Sequence, residues 1–175
     1  MANAVGYYNF KKIVDLLQLI SRQHKQVESF GIGDIKQLVY YVQERLKQDN
    51  TNDSLPAHYP LVFVIPGVAS SDGRKMVYNF QVLCMDVLNT KNFDNEIDIW
   101  SDTLDILKDI VAQLKYSLDE CYTNWDVQYP FDFQPFSEKY DDYVSGWNVN
   151  MKLVIPDAID RCIAPYDDFP PCIEQ

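Results

Sequence analysis

Basic residues are scarce in this sequence, and their scarcity excludes a class of functions. The chain has 15 Lys and Arg residues against 26 Asp and Glu, a net charge of −11, and its longest basic stretch is Lys11-Lys12. Phosphate binding needs clustered cations, so we do not expect the chain to hold nucleic acid directly. The acidity is explained by simple solubility, or alternatively by a surface that repels DNA or meets a basic partner.

Cysteine and histidine are equally sparse. The sequence contains these six: Cys84, Cys121, Cys162, Cys172, His24 and His58. No two cysteines form a CxxC pair, and the spacing of a zinc site is absent. Cys84 lies in an apolar strand pattern and is expected to be a reduced core thiol. Cys162 and Cys172 could pair, although free thiols are the default in a reducing cytosol.

The sequence also shows no recognisable targeting or membrane-spanning segment. The N-terminal residues show no basic region followed by an apolar one, and no apolar run approaches the length of a membrane span. We therefore expect a soluble protein made in the cytoplasm, without a membrane partner. With 47% hydrophobic and 14% aromatic residues, the chain can fill a core without a metal or disulfide.

Helical periodicity dominates the first part of the chain. Apolar residues at three- and four-residue steps predict an amphipathic helix over residues 8–26. Residues 29–33 interrupt the pattern. Asp34 and Gln37 then have the spacing of a capping box, which predicts a second helix over residues 35–47.

A change of period predicts a hairpin next. Residues 61–65 form a β-branched and aromatic run that we expect to end at Pro66, and residues 67–74 have the composition of a turn. Residues 75–87 alternate as a second strand, long enough to project beyond the sheet at its turn end.

A third helix is expected to begin at Asp94 or Asn95 and to lie across the sheet rather than form a coiled coil. Its predicted apolar seam is Ile97, Trp100, Leu104, Leu107, Val111, Leu114 and Leu118. Residues 121–136 are aromatic and irregular, and a last strand, with Trp147 facing inward, runs to Ile155. The predicted fold is α+β: an antiparallel sheet of about four strands, a long helix across it and two N-terminal helices. Residues 1–156 form one domain, and residues 157–175 an extended C-terminal tail.

The sequence offers little sign of catalysis. Neither histidine adjoins a serine or cysteine, and residues 67–71 match neither a nucleophile elbow nor a phosphate loop. Two acidic pairs, Asp141-Asp142 and Asp167-Asp168, could together hold a divalent cation, but solvated surface acid is far commoner. We therefore predict no catalytic residue, no metal ligand and no cofactor.

Aromatic residues outside the periodic segments suggest interaction surface. Trp125, Tyr129 and Phe131 precede the last strand, and Tyr166 and Phe169 lie in the tail. Such side chains must cover the domain's own core or be buried against a neighbour, and the sequence favours neither.

Three features resemble the tail-terminator and neck proteins of tailed bacteriophages, most closely those of crAss-like phages. They are the strand that begins near Tyr59-Pro60 after two helices, the long strand of residues 76–87 before an acidic helix start, and the strand opening at residues 145–147, followed by Cys162 and Pro165. The resemblance covers residues 8–156.

That resemblance implies a structural virion protein that closes into a hexameric or twelve-fold ring, stacks on portal, neck or tail proteins and lets DNA pass. The tail would drape over the next subunit, and the hairpin tip would touch the next ring. Predicted contacts are Ser70, Ser71, Asp72, Arg74, Trp125, Tyr129, Phe131, Tyr166 and Phe169. The alternatives are a small carboxylate-dependent metal enzyme of the cytoplasm and a host-encoded adaptor of the same fold.

Overall fold

A computed structural model of the chain describes residues 10–43, 58–88, 95–116, 126–139 and 143–156. These residues form an α+β fold in which three helices pack on a single mixed sheet of six strands. The elements are α1 (Phe10–Gln23), β1 (Ser29–Ile32), α2 (Ile35–Gln43), β2 (Leu61–Ser71), β3 (Met76–Val87), α3 (Asn95–Tyr116), β4 (Asp126–Gln128), β5 (Phe133–Lys139) and β6 (Tyr143–Ile155). The fold class is thus the predicted one, and residues 157–175, predicted to be a tail, lie outside the described residues.

The sheet has six strands, whereas about four were predicted. Its order is β1-β2-β3-β6-β4, with β5 also paired to β6. β1 runs parallel to β2, whereas the other pairs are antiparallel, so the predicted antiparallel sheet of about four strands is matched only roughly. β1 was mistaken for a helix break because it is short and contains Gly31. That glycine serves packing, since a Cβ there would lie 2.6 Å from the ring of Phe63.

The hairpin differs from the prediction at its turn. β2 continues through Pro66 to Ser71, and only residues 72–75 separate it from β3. Proline is tolerated there because β1 pairs with β2 no further than Val64, which leaves Pro66 at an edge. A register shift between Pro66 and Ala69 marks a β-bulge.

The long strand does not project alone. β3 pairs with β6 along its whole length, from Met76 opposite Ile155 to Val87 opposite Val144. The predicted projection of residues 75–87 beyond the sheet was therefore wrong. The far end of the hairpin belongs to a multi-stranded part of the sheet.

β4 and β5 occupy the stretch predicted to be irregular. β4 is only three residues long and β5 contains Pro135, so neither gives a clear strand pattern. Both pair with β6, and Val127 and Phe133 contribute to the core. Val127, Phe131 and Phe133 therefore cover the domain's own interior.

The third helix lies against β3 and β6, as predicted, but it is turned relative to the predicted seam. Its buried residues are Ile99, Thr103, Ile106, Leu107, Ile110, Val111 and Leu114. Ile97, from the predicted seam, is 70% exposed. The helix packs against α1 as well as the sheet, so its buried stripe is wider than a coiled-coil seam. The stripe begins at Ile99, whereas the predicted seam begins at Ile97.

Two clusters of buried side chains lie on opposite faces of the sheet. The larger one joins α1 and α3 to the inward residues of β3 and β6, and it includes Cys84, whose thiol pKa is raised by burial. The smaller one lies under α2 and contains Leu38, Phe63 and Met85. The predictions of a core thiol at Cys84 and of an inward Val149 face on the last strand were confirmed.

The predicted capping box is also present. The backbone N–H of Gln37 donates to Oδ1 of Asp34 at 2.8 Å, and the N–H of Asp34 donates to Oε1 of Gln37 at 2.9 Å. These reciprocal bonds satisfy two donors that a helix start would otherwise leave free. None of the described helices combines the length and the apolar character that crossing a bilayer requires.

Candidate functional site at the hairpin end of the sheet

Among the described residues, one edge of β2 is without a partner strand over about half its length. β1 pairs with residues 61–64 of β2, and the N–H of Gly33 adds one further bond to the carbonyl of Val64. Beyond this point, no strand among the described ranges lies on the outer side of residues 67–71, which we call the free edge. All five residues are exposed, Val68 to 76%. Unpaired backbone groups in such a row are a template for another strand.

The bulge shapes the start of the free edge. It places Gly67 and Val68 opposite Asn79 of β3. The side-chain amide of Asn79 donates to the carbonyl of Val68, so one backbone group freed by the bulge is satisfied within the chain. Beyond the bulge, Ala69 and Ser71 return to regular pairing with β3. The free edge is therefore held in strand geometry by one neighbour while its other side faces solvent.

The hairpin tip has a defined shape although it is exposed. Oδ1 of Asp72 accepts the backbone N–H groups of Arg74 and Lys75, both at 2.8 Å. Oγ of Ser71 accepts the N–H of Gly73, whose φ of +89° is favourable only for glycine. The same backbone donors lower the pKa of Asp72. The tip therefore presents two cations, Arg74 and Lys75, on a fixed turn in an acidic protein.

The sheet face beside the tip is polar and uncharged for the most part. Cross-strand partners share a face, and the pairing places Asn79, Gln81 and Asn150 together on the side opposite α3. Nε2 of Gln81 donates to Oδ1 of Asn148 at 3.4 Å. Amide side chains bind water well, so this half of the face needs no covering helix, unlike the apolar half under α2.

A second exposed group lies beside β4, on the opposite edge of the sheet. Tyr129 is 59% exposed, and Nζ of Lys115 lies 4.3 Å from its ring centroid and 2.9 Å from its hydroxyl oxygen. The hydrogen bond to Tyr129 raises the pKa of Lys115. The ring of Phe131 lies 4.5 Å from that of Tyr129 and packs against the core. Tyr129 is thus available to a partner, whereas Phe131 covers the domain itself.

The predicted contact residues fall into separate groups. Ser70, Ser71, Asp72 and Arg74 are all exposed at the tip or free edge. Tyr129 lies by the far edge, with β3 and β6 between it and the tip. Three further residues lie outside the described residues: Trp125, Tyr166 and Phe169. Their role in contacts stays a prediction.

Sequence reasoning missed the free edge itself. It placed residues 67–71 in a turn because Pro66 and Gly67 normally end a strand. One signal was present: β3 is twelve residues long, and a hairpin partner of similar length was needed to pair with it. The two acidic pairs at 141–142 and 167–168 lie outside the described residues.

A further cluster of polar side chains connects α3 to β5 and β6 by hydrogen bonds. The indole N–H of Trp100 donates to Oγ of buried Ser145 at 2.7 Å, and Ser137 joins the same serine to Glu96. In this way the start of α3 is tied to β5 and β6. Within the described part of the chain, no group of three or more His, Cys, Asp or Glu side chains is arranged to hold a metal ion.

No model of a known protein family matches the sequence, and no curated protein is significantly similar to it. The surfaces of the chain itself are therefore the basis for a functional assignment.

Proposed function

We propose that the chain is a non-catalytic structural subunit of a tailed-phage virion, which closes into a ring at the head–tail junction or the tail end. The ring joins portal or neck to tail and lets DNA pass. The observation that carries the proposal is the free edge of β2, residues 67–71, where all five residues are exposed and no strand among the described residues pairs on the outer side. The resemblance to tail-terminator and neck proteins supplies the specific role.

The free edge favours a ring over a two-fold dimer when a neighbour fills it with a different part of its surface. A contact between two unlike surfaces is head-to-tail, and repeating it around an axis closes a ring. Val68, at 76% exposure, adds an apolar side chain to this contact surface. Backbone hydrogen bonds supply affinity in strand addition, while side chains such as Val68 supply specificity.

The charge of the chain fits a channel wall. Each subunit carries a net charge of −11, and a six-fold ring carries six times as much. Phosphate groups are repelled by such a surface when they come within about one Debye length, roughly 8 Å at physiological salt. DNA would therefore pass the wall without being held, which suits a conduit better than a nucleic-acid-binding protein.

The tip is suited to a contact between stacked rings. Its turn is held by the Asp72 and Ser71 side chains, so little conformational entropy is lost when a partner binds. Arg74 and Lys75 offer positive charge to the acidic surface of another ring.

The proposal is tested by particle size. Light scattering and negative-stain microscopy of the full chain, over a range of concentrations, are expected to show closed particles of six or twelve copies. Val68→Lys places a charge on the free edge and should leave monomers. Ile97→Lys is the matched control, because Ile97 is 70% exposed on α3, and it should leave the rings intact.

A wild-type chain that is monomeric at every concentration, alone and with rings of neighbouring neck or tail proteins, would contradict the proposal. Portal, tail-tube or terminase genes beside the coding gene would support it. The metal-enzyme alternative stays a prediction. Stabilisation of the folded chain by Mg²⁺ or Mn²⁺, read from the thermal midpoint, would favour that enzyme.

A further inference from the structure

We propose that residues 158–164 of one copy add as a strand to the free edge of β2, residues 67–71, in a second copy. This inference rests on the proposed function, because it names the segment by which neighbouring subunits hold one another. Strand addition of this kind uses main-chain hydrogen bonds that the edge already presents.

The free edge has room for a short strand in line with β1. β1 is held on β2 by four residue pairs, from Ser29–Leu61 to Ile32–Val64. Pro66 interrupts β2 after this contact, and five residues without a charge or a proline follow it. Gly67 and Val68 form the bulge, and the three residues 69–71 pair regularly with β3. Three residue pairs suffice to hold β4 on β6, so this regular part of the free edge is long enough for another short strand.

The sequence after β6 contains a segment suited to that place. Residues 158–164 are free of proline and glycine and include Ile159 and Ile163, which favour strands. Pro165 follows and sets the end of any strand there, since it lacks an N–H to donate. Seven residues are available for an edge of five.

Reach favours the edge of a second copy over the chain's own edge. β6 ends at Ile155, and β3 lies between it and β2. Strands lie about 4.8 Å apart, so the position beyond β2 is roughly 14 Å from β6. The three residues from Ile155 to Ala158 span at most about 10 Å. A chain that turned back to its own edge would spend Ala158 and about one further residue on the crossing, whereas a second copy can offer the whole segment.

Charge supports the same contact. Residues 157–175 contain five acidic side chains and one basic one. The tip beside the free edge presents Arg74 and Lys75, both exposed. Asp157 precedes the segment and Asp167 follows it. One of these two acidic residues therefore lies near the tip whether the added strand runs parallel or antiparallel to β2. Opposite charges then favour this edge over the rest of an acidic surface.

Disulfide trapping between two full-length forms tests the proposal. The edge form carries Ser70→Cys and has Cys121, Cys162 and Cys172 changed to serine. The tail form keeps Cys162 and has only Cys121 and Cys172 changed. Buried Cys84 stays in both, because its raised pKa and its burial keep it unreactive. The reduced forms, one with a size tag, are mixed, oxidised and separated on a non-reducing gel.

A matched control moves the new cysteine to Gln128, which is exposed on β4 at the opposite edge of the same end of the sheet. The expected result is a disulfide between the two forms that appears at least tenfold faster with Ser70→Cys than with Gln128→Cys. Equal rates overturn the proposal.

A third form carries Ser70→Cys together with Cys162 in one chain. If it closes a disulfide within the monomer at high dilution, the segment binds its own edge and the proposal is overturned. Closed rings without cross-linking between forms defeat this inference and leave the proposed function standing. Cross-linked copies that never close into rings support this inference and defeat the proposed function.

Discussion

Gly146 provides the sharpest test of the fold. It is the fourth of the thirteen residues of β6 and lies between Met85 of β3 and Phe136 of β5. A Cβ at this position would be 2.0 Å from the carbonyl oxygen of Cys84 and 2.9 Å from the Cα of Met85. Both are backbone atoms of a buried central strand, so rotation of a side chain cannot relieve the contact. Gly146→Ala must therefore push β3 and β6 apart.

The expected cost follows from that displacement. Overpacking a tight core costs about 1–3 kcal/mol when side chains can adjust. Here the backbone must move as well, and each weakened ladder hydrogen bond forfeits up to about 1 kcal/mol. We expect Gly146→Ala to lower the free energy of unfolding by at least about 3 kcal/mol, a large share of the roughly 5–15 kcal/mol typical of a domain.

The assay is denaturant unfolding followed by tryptophan fluorescence, at several protein concentrations because assembly also adds stability. Gly67→Ala is the matched control. A Cβ there would meet Cβ and the carbonyl oxygen of Asn79 at 3.2 Å, on an exposed edge that can shift. Its expected cost is below about 1 kcal/mol. A loss for Gly146→Ala no larger than that of Gly67→Ala would refute the reasoning.

Three further predictions concern single side chains. Ser21 is fully buried, and its hydroxyl has no hydrogen-bond partner among the described residues, so Ser21→Ala should raise the unfolding free energy by about 1 kcal/mol; a loss would reveal a missed partner. Asp34→Ala removes one bond of the capping box and should cost about 1 kcal/mol in the same assay, and an unchanged value would show that the box does not support α2. Because the pKa of Asp72 is lowered in the folded protein, its contribution to the tip is present above its ordinary pKa of 3.8 and is lost as pH falls through the folded value. The protection factor of the Arg74 amide, the exchange rate in an unfolded chain divided by its own at the same pH, should therefore fall in acid, and Asp72→Asn should abolish that transition; an identical acid response in the variant would exclude Asp72 as its source.

Local signals predicted the elements whose own residues determine them. The capping box of Asp34 and Gln37 marks the start of α2 because both partners lie within one turn. The inward face of β6 followed from strict alternation around Val149 and Met151.

Pairing across long sequence distances was not predictable in the same way. β1 is a strand because residues 61–64 lie beside it, and nothing in its four residues requires this. α3 has apolar residues on more than one side, and only its packing against β3, β6 and α1 determines that Ile99 is buried and Ile97 is exposed. The tip was predictable from its turn residues, whereas the free edge depends on where β1 stops.

The end of β1 and the start of α2 together create the free edge. After Ile32, the N–H of Gly33 makes one last bond to the carbonyl of Val64, and the next residue is the N-cap Asp34. The chain turns away from the sheet at this point because the capping box commits it to a helix. β2 meanwhile continues through Pro66, held by β3 alone. The signal that predicted α2 from sequence is thus also the physical reason that β1, the strand beside β2 in the described part of the chain, ends at Ile32. The edge that we propose for assembly is therefore set by a helix cap rather than by the strand that carries it.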